Sequence, residues 1–343
     1  MKVKILTITI CSFVLISFLF LVASFFILNM PAKTIPSNPI DFKIDEGESG
    51  NHVVMRLKND GLIRSSLFFK VLLKIKNKPL KVGLYAITKN DSSYTLLEKM
   101  VKGAQRMLSI TIPEGKTIKQ VATLLEQKGV CNAAQFINEA SKPPKGKYVA
   151  SSALSYEGFI FPDTYFIPAF SSPSFLLETF MDNFEKRLEE IDSSLLTKNA
   201  HNLQWVYRQI ILASIIEKEY KIEEEAPLIA SVFMNRLYAN MPLQSCATIV
   251  YIMTELQNRP HPKRLFYTDL EIDNPYNSYI NYGLPPSPIC SPGSVALDSV
   301  LNPVKTGYYY FVVKDSKAGT HHFSSNYSNH QQAKIEYINR YFN

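Results

Sequence analysis

The chain has 343 residues, and 37 Lys and Arg against 30 Asp and Glu give it a formal charge of +7. This length accommodates two or three domains with a sizeable core. The mild basic excess suits a protein that faces an acidic polymer or membrane headgroups. Because the sequence contains no nucleic-acid-binding motif, we expect no nucleic-acid partner.

The N-terminal segment predicts a membrane anchor. Residues 5–30, ILTITICSFVLISFLFLVASFFILNM, contain no charged residue, and a helix of about 20 apolar residues spans a bilayer. A cleavable signal peptide has a shorter apolar region of about 7–15 residues and ends in small residues, unlike the NMPAK sequence here. Because Lys2 and Lys4 precede the segment, we expect residues 1–4 to be cytoplasmic, although Lys33 is a weaker signal in the opposite sense. The rest of the chain is then expected outside the cytoplasm.

A linker and an internal repeat follow the anchor. Residues 31–40 carry three prolines without apolar periodicity, and residues 44–68 align without a gap with residues 112–136. In each copy a short strand is predicted to end at a Glu-Gly turn, a hydroxyl side chain caps a helix, and a glycine ends that helix. The matched pairs are Glu46 and Glu114, Gly47 and Gly115, Ser49 and Thr117, Val53 and Val121, Leu57 and Leu125, Gly61 and Gly129, and Phe68 and Phe136.

The repeated unit resembles the LysM-like modules of cell-wall proteins. Residues 41–146 are therefore predicted to form a LysM-like α/β region, and a small α+β spacer without a ligand is the alternative. A run of lysines separates the two copies, and we interpret it as a solvated face. These lysines are Lys70, Lys74, Lys76, Lys78 and Lys81.

The composition changes at about residue 147, where aromatic residues and prolines become more frequent. Apolar periodicity predicts a helix around residues 174–191, a second from about residue 203 and a third from about residue 226. A hairpin and a closing helix are predicted near the C-terminus. The predicted class is α+β: a single N-terminal transmembrane helix, the LysM-like region, and a mixed α+β domain over residues 147–343.

Two carboxylates end an apolar run in the stretch ILASIIEKEY, residues 211–220. A carboxyl group in a partly apolar pocket has a raised pKa and can donate a proton near neutral pH. The spacing does not separate Glu217 from Glu219, and a solvent-exposed helix end with surface ion pairs explains the two acids at least as well.

Elsewhere, the adjacent His321 and His322 point to opposite faces of a predicted strand, which argues against a metal site there.

Five stretches of the second half resemble, in order, those of the endolytic murein transglycosylases, the YceG-like family. They are EGFIFPDTY, ASIIEKEY, SVFMNRLYANMPLQSCATIVY, YNSYINYGLPPSPICSPG and HHFSSNYSNH. With the anchor and the LysM-like region, the resemblance covers essentially the whole chain. It implies a peptidoglycan lytic transglycosylase without a cofactor or metal, held in the inner membrane with its bulk in the periplasm. It also implies that residues 147–343 are the catalytic domain.

The resemblance assigns the catalytic acid to the first glutamate of the EKE motif, Glu217. Other polar motif residues are expected along the glycan cleft, although each can instead be a buried structural hydrogen-bonding residue. Arg236 in particular can bind a substrate carboxylate or pair with a nearby acid. The chain departs from the family at Cys246-Ala247, where Asp-Pro is usual, and at Asn326, where Thr is usual. The expected cleft residues are Glu157, Asp163, Asn235, Arg236, Gln244, Tyr276, Asn277, Tyr279 and Gly283.

The implied reaction uses one carboxyl group. Glu217 would protonate the glycosidic oxygen between N-acetylmuramic acid and N-acetylglucosamine, and the muramic acid 6-hydroxyl would then close a 1,6-anhydro ring. Cleavage inside nascent strands would limit their length. The partners would be glycan strands, with the peptidoglycan synthases as further candidates. Two alternatives stay open, namely a non-catalytic wall-binding scaffold and a hydrolase that uses Asp163 or Glu157 as its second carboxylate. A disulfide between Cys246 and Cys290 is also open, with unpaired cysteines preferred.

Overall fold

The computed structural model describes residues 2–195 and 202–342, with the side chains of residues 9–195 and 202–337. These residues form two compact units. The first runs to Leu108 and includes Phe166–Ser171, and the second comprises Ser109–Tyr165 and the chain from Ser172 onward. Helices and two-stranded sheets occur in both parts of the chain, so the predicted α+β class is confirmed.

The chain begins with helix α1, Lys2–Asn29. Within the described residues, Thr9–Asn29 is the one helical stretch that is long and apolar enough to cross a membrane. Its 21 residues match the thickness of a bilayer core at about 1.5 Å of rise per residue. The predicted N-terminal apolar helix is thus confirmed, and it is compatible with a single-pass membrane anchor.

The rest of the first unit is a strand–helix–helix–strand arrangement followed by one helix. Strands β1 and β2 are antiparallel, with Phe42 opposite Tyr85. Both aromatic side chains are buried with Leu57 and Phe69 from the two intervening helices, so each element contributes to one apolar core. The elements are β1 (Ile40–Ile44), α2 (Gly50–Asn59), α3 (Ser66–Lys76), β2 (Gly83–Ile87) and α4 (Ser93–Lys102).

The remaining elements are mostly helical. Strand β3 (Met107–Thr111) pairs with β4 (Thr164–Pro168), and β5 (Tyr310–Asp315) forms an antiparallel hairpin with β6 (Thr320–Ser324). The α10 helix continues as a π-helical turn, Ile252–Leu256. The helices predicted near residues 174, 203 and 226, the late hairpin and the closing helix are all present. In chain order the elements are β3 (Met107–Thr111), α5 (Ile118–Gln127), α6 (Ala133–Ala140), β4 (Thr164–Pro168), α7 (Pro173–Ile191), α8 (Leu203–Ile216), α9 (Ala226–Tyr238), α10 (Cys246–Tyr251), α11 (Ser294–Leu301), β5 (Tyr310–Asp315), β6 (Thr320–Ser324) and α12 (Tyr327–Phe342).

Both copies of the sequence repeat form the predicted local structure. The Ser49 hydroxyl caps α2, and the Thr117 hydroxyl caps α5. Gly61 and Gly129 follow the two helices with φ of 71° and 69°, a region that an L side chain enters only with strain. The copies lie in different units, because residues 44–68 belong to the first and residues 112–136 to the second.

Helix α8 lies at the centre of the second unit. Val206, Tyr207 and all of Ile210–Ile216 are buried, so the helix is enclosed on every side over its second half. Such a helix must be surrounded by other elements, and α8 packs against α9 and α11. The ring of Phe159 stacks on Tyr207, with centroids 5.9 Å apart, and meets Phe184 of α7 edge to face.

Replacement of Phe159 by alanine tests this packing. The ring is fully buried, so Phe159→Ala should lower the free energy of unfolding by about 3–5 kcal/mol. Denaturant titration followed by circular dichroism measures the loss. Tyr238→Ala at an exposed position of α9 is the control, with an expected change within about 0.5 kcal/mol. Equal changes in the two variants would contradict the central position of Phe159.

Candidate active site

Glu217 ends helix α8. It is the C-cap residue with helical backbone angles, and its N–H donates to the Ala213 carbonyl at 2.8 Å. The next N–H, of Lys218, donates to the Ile215 carbonyl in a tighter turn. Because the preceding turns of α8 are enclosed by apolar side chains, the Glu217 carboxyl group is held at one end of a rigid, buried element and is itself partly buried.

The Glu217 carboxylate, at the C-terminal end of α8, accepts a hydrogen bond from the N-terminal end of another helix. Its Oε2 accepts a hydrogen bond from the N–H of Gly293 at 2.9 Å, and Gly293 is the N-cap residue of α11. Backbone N–H groups at a helix N-terminus have no partner within the helix and favour a negative charge. The Tyr220 hydroxyl lies farther away, 3.4 Å from Oε2. These donors stabilise the ionised form of Glu217.

Burial disfavours the ionised form of Glu217, and its effect is larger than that of the two donors. Desolvation raises the pKa of Glu217 to about 7, and the negative charge of Glu114 adds to the rise, while the Gly293 N–H and the Tyr220 hydroxyl oppose it. A group with a pKa near 7 is substantially present in both protonation states at neutral pH. Glu217 can therefore donate a proton and later accept one.

The Glu-Gly turn of the second repeat copy lies against Glu217. Gly115 has φ of 67°, and a Cβ atom there would lie 3.6 Å from the Glu217 Cγ. The Gly115 N–H donates to the Ser291 carbonyl at 2.9 Å, and the Ser291 N–H donates to the Lys116 carbonyl. The Lys218 ammonium group donates to the Gly115 carbonyl. These hydrogen bonds hold the turn at the end of α8.

Glu114 and Gly293 belong to the site although no sequence pattern points to them. A Cβ atom on Gly293 would overlap a carboxylate oxygen of Glu114, so glycine at 293 lets this second acid approach the N-terminus of α11. The sequence predicts only a turn at the Glu-Gly pair of the second repeat, and it gives Gly293 no role within its motif. Neither residue carries a pattern that predicts contact with residue 217, because the partners are about 75–100 residues apart.

Glu219 has a different environment from Glu217. Its carboxylate accepts a hydrogen bond from the Ser245 hydroxyl. Burial raises the pKa of Glu219, while the Ser245 hydroxyl and the positive charges of His321 and Arg236 oppose the rise. The two acids of the EKE motif therefore face different partners, as expected for positions two apart at a helix end.

A cavity of about 260 Å³ opens beside the EKE motif. Lys218 and Glu219 line it, whereas Glu217 does not, and the π-helical turn after α10 forms one wall. The second repeat contributes Thr117 and Gln120, and the Thr117 hydroxyl donates to Glu255 at 3.0 Å. The complete lining is Thr117, Gln120, Lys218, Glu219, Cys246, Ala247, Val250, Tyr251, Thr254, Glu255, His261 and Ile289.

Residues 42–336 match the sequence pattern of the YceG-like family. The chain belongs to the YceG-like family. A Bacillus subtilis (strain 168) protein named endolytic murein transglycosylase is 29% identical over 324 residues, which cover 90% of this chain and 87% of that protein. A Streptococcus pneumoniae serotype 2 (strain D39) protein of the same name is 31% identical over 327 residues, which cover 88% of this chain and 58% of the pneumococcal protein. The resemblance noted in the sequence is thus confirmed.

A solved structure agrees with this membership. The crystal structure of a YceG-like protein from Listeria monocytogenes matches with a TM-score of 0.56 at 26% identity, and the match covers 87% of this chain and 99% of that chain. The chain therefore shares its fold with a solved YceG-like protein over most of its length.

Three of the expected cleft residues bond to the backbone of their own domain. The Asn235 amide donates to the Thr306 and Tyr308 carbonyls at 2.9 and 2.8 Å. Asn277 is fully buried and donates to two carbonyls of its own loop. Arg236 is buried and donates to the carbonyls of residues 309 and 243, so its hydrogen bonds within the described part of the chain are to backbone, while its charge also acts on Glu219. In this structure these three side chains hold loops in position.

Two of the expected cleft carboxylates are engaged elsewhere. Asp163 forms an ion pair with Arg187 at 2.7 Å, and the hydrogen bond from that guanidinium helps lower the pKa of Asp163 despite partial burial. Glu157 is buried and accepts hydrogen bonds from the Ile118 N–H at the start of α5. Desolvation raises the pKa of Glu157 to about 8, with that N–H opposing the rise.

The other expected residues lie on the loops around α10. The Tyr279 hydroxyl lies 3.0 Å from the Cys246 thiol, and the Tyr276 hydroxyl bonds to Ser287. Gln244 is exposed and has φ of 52°. Gly283 has φ of 84° with open space around the position of a Cβ atom. Tyr279 and Tyr276 each contact a residue that lines the cavity, because the Tyr276 ring lies 5.1 Å from that of Tyr251.

The cysteines, His321 and Asn326, which the sequence singled out, have roles within the fold. All four cysteines are free thiols, and the buried Cys290 thiol donates to the Ser214 carbonyl at 3.2 Å. The ring of His321 pairs with Glu225 at 2.6 Å. Asn326 accepts from the Asn329 N–H at the start of α12.

The titration of Glu217 tests the geometry of the site directly. We expect the carboxyl carbon of Glu217, followed by NMR, to titrate near pH 7. Glu114→Gln should lower this pKa, because a neighbouring negative charge that opposes ionisation has been removed. Glu139→Gln, which removes a surface partner of Lys142, is the matched control and should leave it unchanged. Titration of Glu217 near its ordinary value of 4.5 would contradict the described burial.

Proposed function

We propose that this chain is an endolytic murein transglycosylase that cleaves the bond between N-acetylmuramic acid and N-acetylglucosamine inside glycan strands. Family membership and the names of the relatives support the activity. The observation that carries the chemistry is the Glu217 carboxyl group, which is fixed at the end of a buried helix with a pKa of about 7.

In the proposed first step, Glu217 is the general acid. Its proton passes to the glycosidic oxygen, the bond from muramic acid C1 to that oxygen breaks, and N-acetylglucosamine leaves with a free 4-hydroxyl. Positive charge develops at C1 and the ring oxygen. The Glu217 carboxylate left behind keeps the hydrogen bond from the Gly293 N–H, which is already in place and favours the charged form.

In the proposed second step, the same carboxylate is the general base. It accepts the proton of the muramic acid 6-hydroxyl as O6 forms a bond to C1, which closes the 1,6-anhydro ring and restores the protonated Glu217. The substrate supplies the nucleophile, so no second carboxylate is required. A pKa near 7 suits a group that donates and accepts a proton in one cycle.

The environments of the other carboxylates favour this mechanism over a two-carboxylate hydrolase. Asp163 is held in an ion pair, and Glu157 is buried and occupied by a backbone N–H. These two are the candidates that the sequence offers for a second catalytic carboxylate. Glu114 is the carboxylate next to the Gly293 position, and we assign it the role of tuning Glu217. We assign the cavity beside Glu219, with Tyr276 and Tyr279 against its lining, to sugar binding.

We further propose the cellular arrangement of the chain. Helix α1 would anchor it in the inner membrane with residues 1–4 in the cytoplasm, because lysines precede the apolar span, and the residues after 30 would lie in the periplasm. The strand–helix–helix–strand order of residues 40–87 supports a LysM-like module. Peptidoglycan synthases are candidate partners.

A reporter fused after residue 343 tests the proposed orientation. It should be active only if the C-terminus lies outside the cytoplasm.

The role of Glu217 is tested with its isosteric amide. Glu217→Gln should lower the rate at which purified peptidoglycan is cleaved by about 10²–10⁴-fold, because the amide cannot act as a general acid. Glu219→Gln is the comparison two residues away; because Glu219 lines the proposed sugar cavity, its amide should act on KM and lower kcat much less. Release of soluble fragments, quantified by chromatography, is the measurement. Equal losses in both variants would contradict the assignment to Glu217.

A measurement of stability against pH distinguishes a loss of catalysis in Glu217→Gln from a loss of the folded structure. The folded-state pKa of Glu217 lies above its reference value of 4.5, so the folded chain binds the extra proton and loses stability as the pH rises from 4.5 to about 7. Glutamine does not titrate. The free energy of unfolding of Glu217→Gln, relative to that of the wild type, should therefore rise by on the order of 1–3 kcal/mol as the pH increases from about 4 to about 8.

The structure of the product distinguishes the proposed mechanism from hydrolysis. We expect muramic acid ends that carry a 1,6-anhydro ring, are one water lighter by mass spectrometry, and resist borohydride reduction. Intramolecular attack by the 6-hydroxyl has a large proximity advantage over water. A broad range of chain lengths early in digestion is expected for internal cleavage.

The variant Glu114→Gln separates the two mechanisms further. In a transglycosylase it should retain anhydro products, with the alkaline limb of kcat/KM shifted to lower pH. Reducible ends in the wild type, lost together with all activity in Glu114→Gln, would identify a hydrolase that uses Glu114 as its second carboxylate.

A further inference from the structure

Helix α3 of the first unit has an exposed apolar face. Leu67, Val71 and Ile75 recur at every fourth position and are 73%, 48% and 76% exposed. Residues four apart lie on the same side of a helix, so they form a continuous stripe, here called the α3 stripe. On the other side of the helix, Phe69 and Leu72 are buried in the core. The helix is therefore apolar on two sides: Phe69 and Leu72 pack into the core, whereas the α3 stripe is exposed among the residues that the structure describes.

A row of lysines lies beside the α3 stripe. Lys70 and Lys74 follow Leu67 and Val71 by three positions, and Lys78 comes just after the helix. These three lysines line one groove of about 570 Å³. The acid of that groove, Glu48, is already paired with Arg56. The row therefore presents positive charge next to an apolar surface, the combination found on helices that lie in a membrane interface.

The contacts of the anchor place this helix near the end of the apolar span. The ring of Phe68 meets the ring of Phe25 edge to face, with centroids 5.4 Å apart. Phe25 lies four residues before the end of the span Thr9–Asn29, a rise of about 6 Å. At the same end, the N–H of Tyr94 donates to the Asn29 side chain at 2.9 Å. The start of α3 is thus next to the C-terminal end of the apolar span.

We propose that the α3 stripe inserts into the interface of the membrane that α1 spans, with the lysine row against anionic lipid headgroups. Helices of this kind bury their apolar face about 5–10 Å into the boundary between headgroups and acyl chains. Anionic headgroups attract lysines at the surface. The proposal rests on membrane insertion of α1 and is independent of the enzymatic activity. For Lys70, Lys74 and Lys78 the proposal is an alternative to the sequence-based interpretation of the lysine run as a solvated face.

Charge and continuity favour lipid over a second copy of the chain as the occupant. In a symmetric dimer each copy presents the same surface, so Lys70 and Lys74 would face the lysines of the other copy. A bilayer with anionic lipid offers apolar chains to the stripe and negative charge to the row. The contact between Phe68 and Phe25 also makes the stripe continuous with a surface that is already apolar.

Fluorescence quenching of the full chain in nanodiscs tests the proposal. The chain has one tryptophan, so Trp205→Phe supplies a silent background into which Val71→Trp is introduced. Lipids with bromine on the acyl chain quench a tryptophan that touches them. Phe20→Trp in the anchor is the positive control, and Tyr238→Trp, at a position 88% exposed on α9, is the negative control. Circular dichroism confirms that each variant is folded.

We expect the tryptophan at 71 to lose fluorescence to nearly the same extent as the one at 20, while the one at 238 keeps its intensity. In anionic lipid, Lys70→Gln with Lys74→Gln should weaken quenching at 71. No quenching at 71 with full quenching at 20 would overturn the proposal. Equal quenching with and without the lysines would overturn the assignment of the row to headgroups. Shielding of position 71 that appears only in nanodiscs holding two copies would identify a dimer contact and overturn the lipid assignment.

Discussion

The burial of α8 on all sides is the constraint on which the proposed active site depends. A helix with apolar residues around its whole circumference cannot rotate or slide without exposing some of them. Ile210–Ile216 are therefore held among α7, α9 and α11, and the residue that ends the helix is held with them. The position of the Glu217 carboxyl group follows from the packing of groups that carry no charge.

The protonation of Glu217 depends on a balance of opposing effects around that position. Desolvation and the charge of Glu114 raise its pKa, and the Gly293 N–H lowers it. The approach of Glu114 depends on two glycines, because Gly115 adopts a positive φ in the Glu-Gly turn and Gly293 leaves room for the Glu114 carboxylate. The Glu217 carboxylate at the end of α8 and the Gly293 N–H at the start of α11 meet because these two helices pack directly against each other.

The two copies of the repeat share a local structure and have different surroundings. Each has a hydroxyl cap and a glycine after its first helix. In the first copy, α3 follows next to the anchor and carries the exposed stripe and the lysines. In the second copy, the Glu-Gly turn contacts Lys218 and Glu217, and Thr117 bonds to Glu255. The same local sequence thus precedes a helix with an exposed apolar stripe in one place and forms part of the wall of a cavity in another.

Local sequence determined the features that depend on neighbours along the chain. The apolar length of residues 5–30, the caps at Ser49 and Thr117, the glycine stops and the start of α8 follow from periodicity and backbone preference, which act over a few residues. Only the tertiary structure decided which acid meets which partner. Glu217 receives a hydrogen bond from Gly293, 76 residues away, whereas Asp163 and Arg236 are used in an ion pair and in backbone contacts. Burial and distant hydrogen bonds arise from packing, and no pattern within a single helix or loop encodes them.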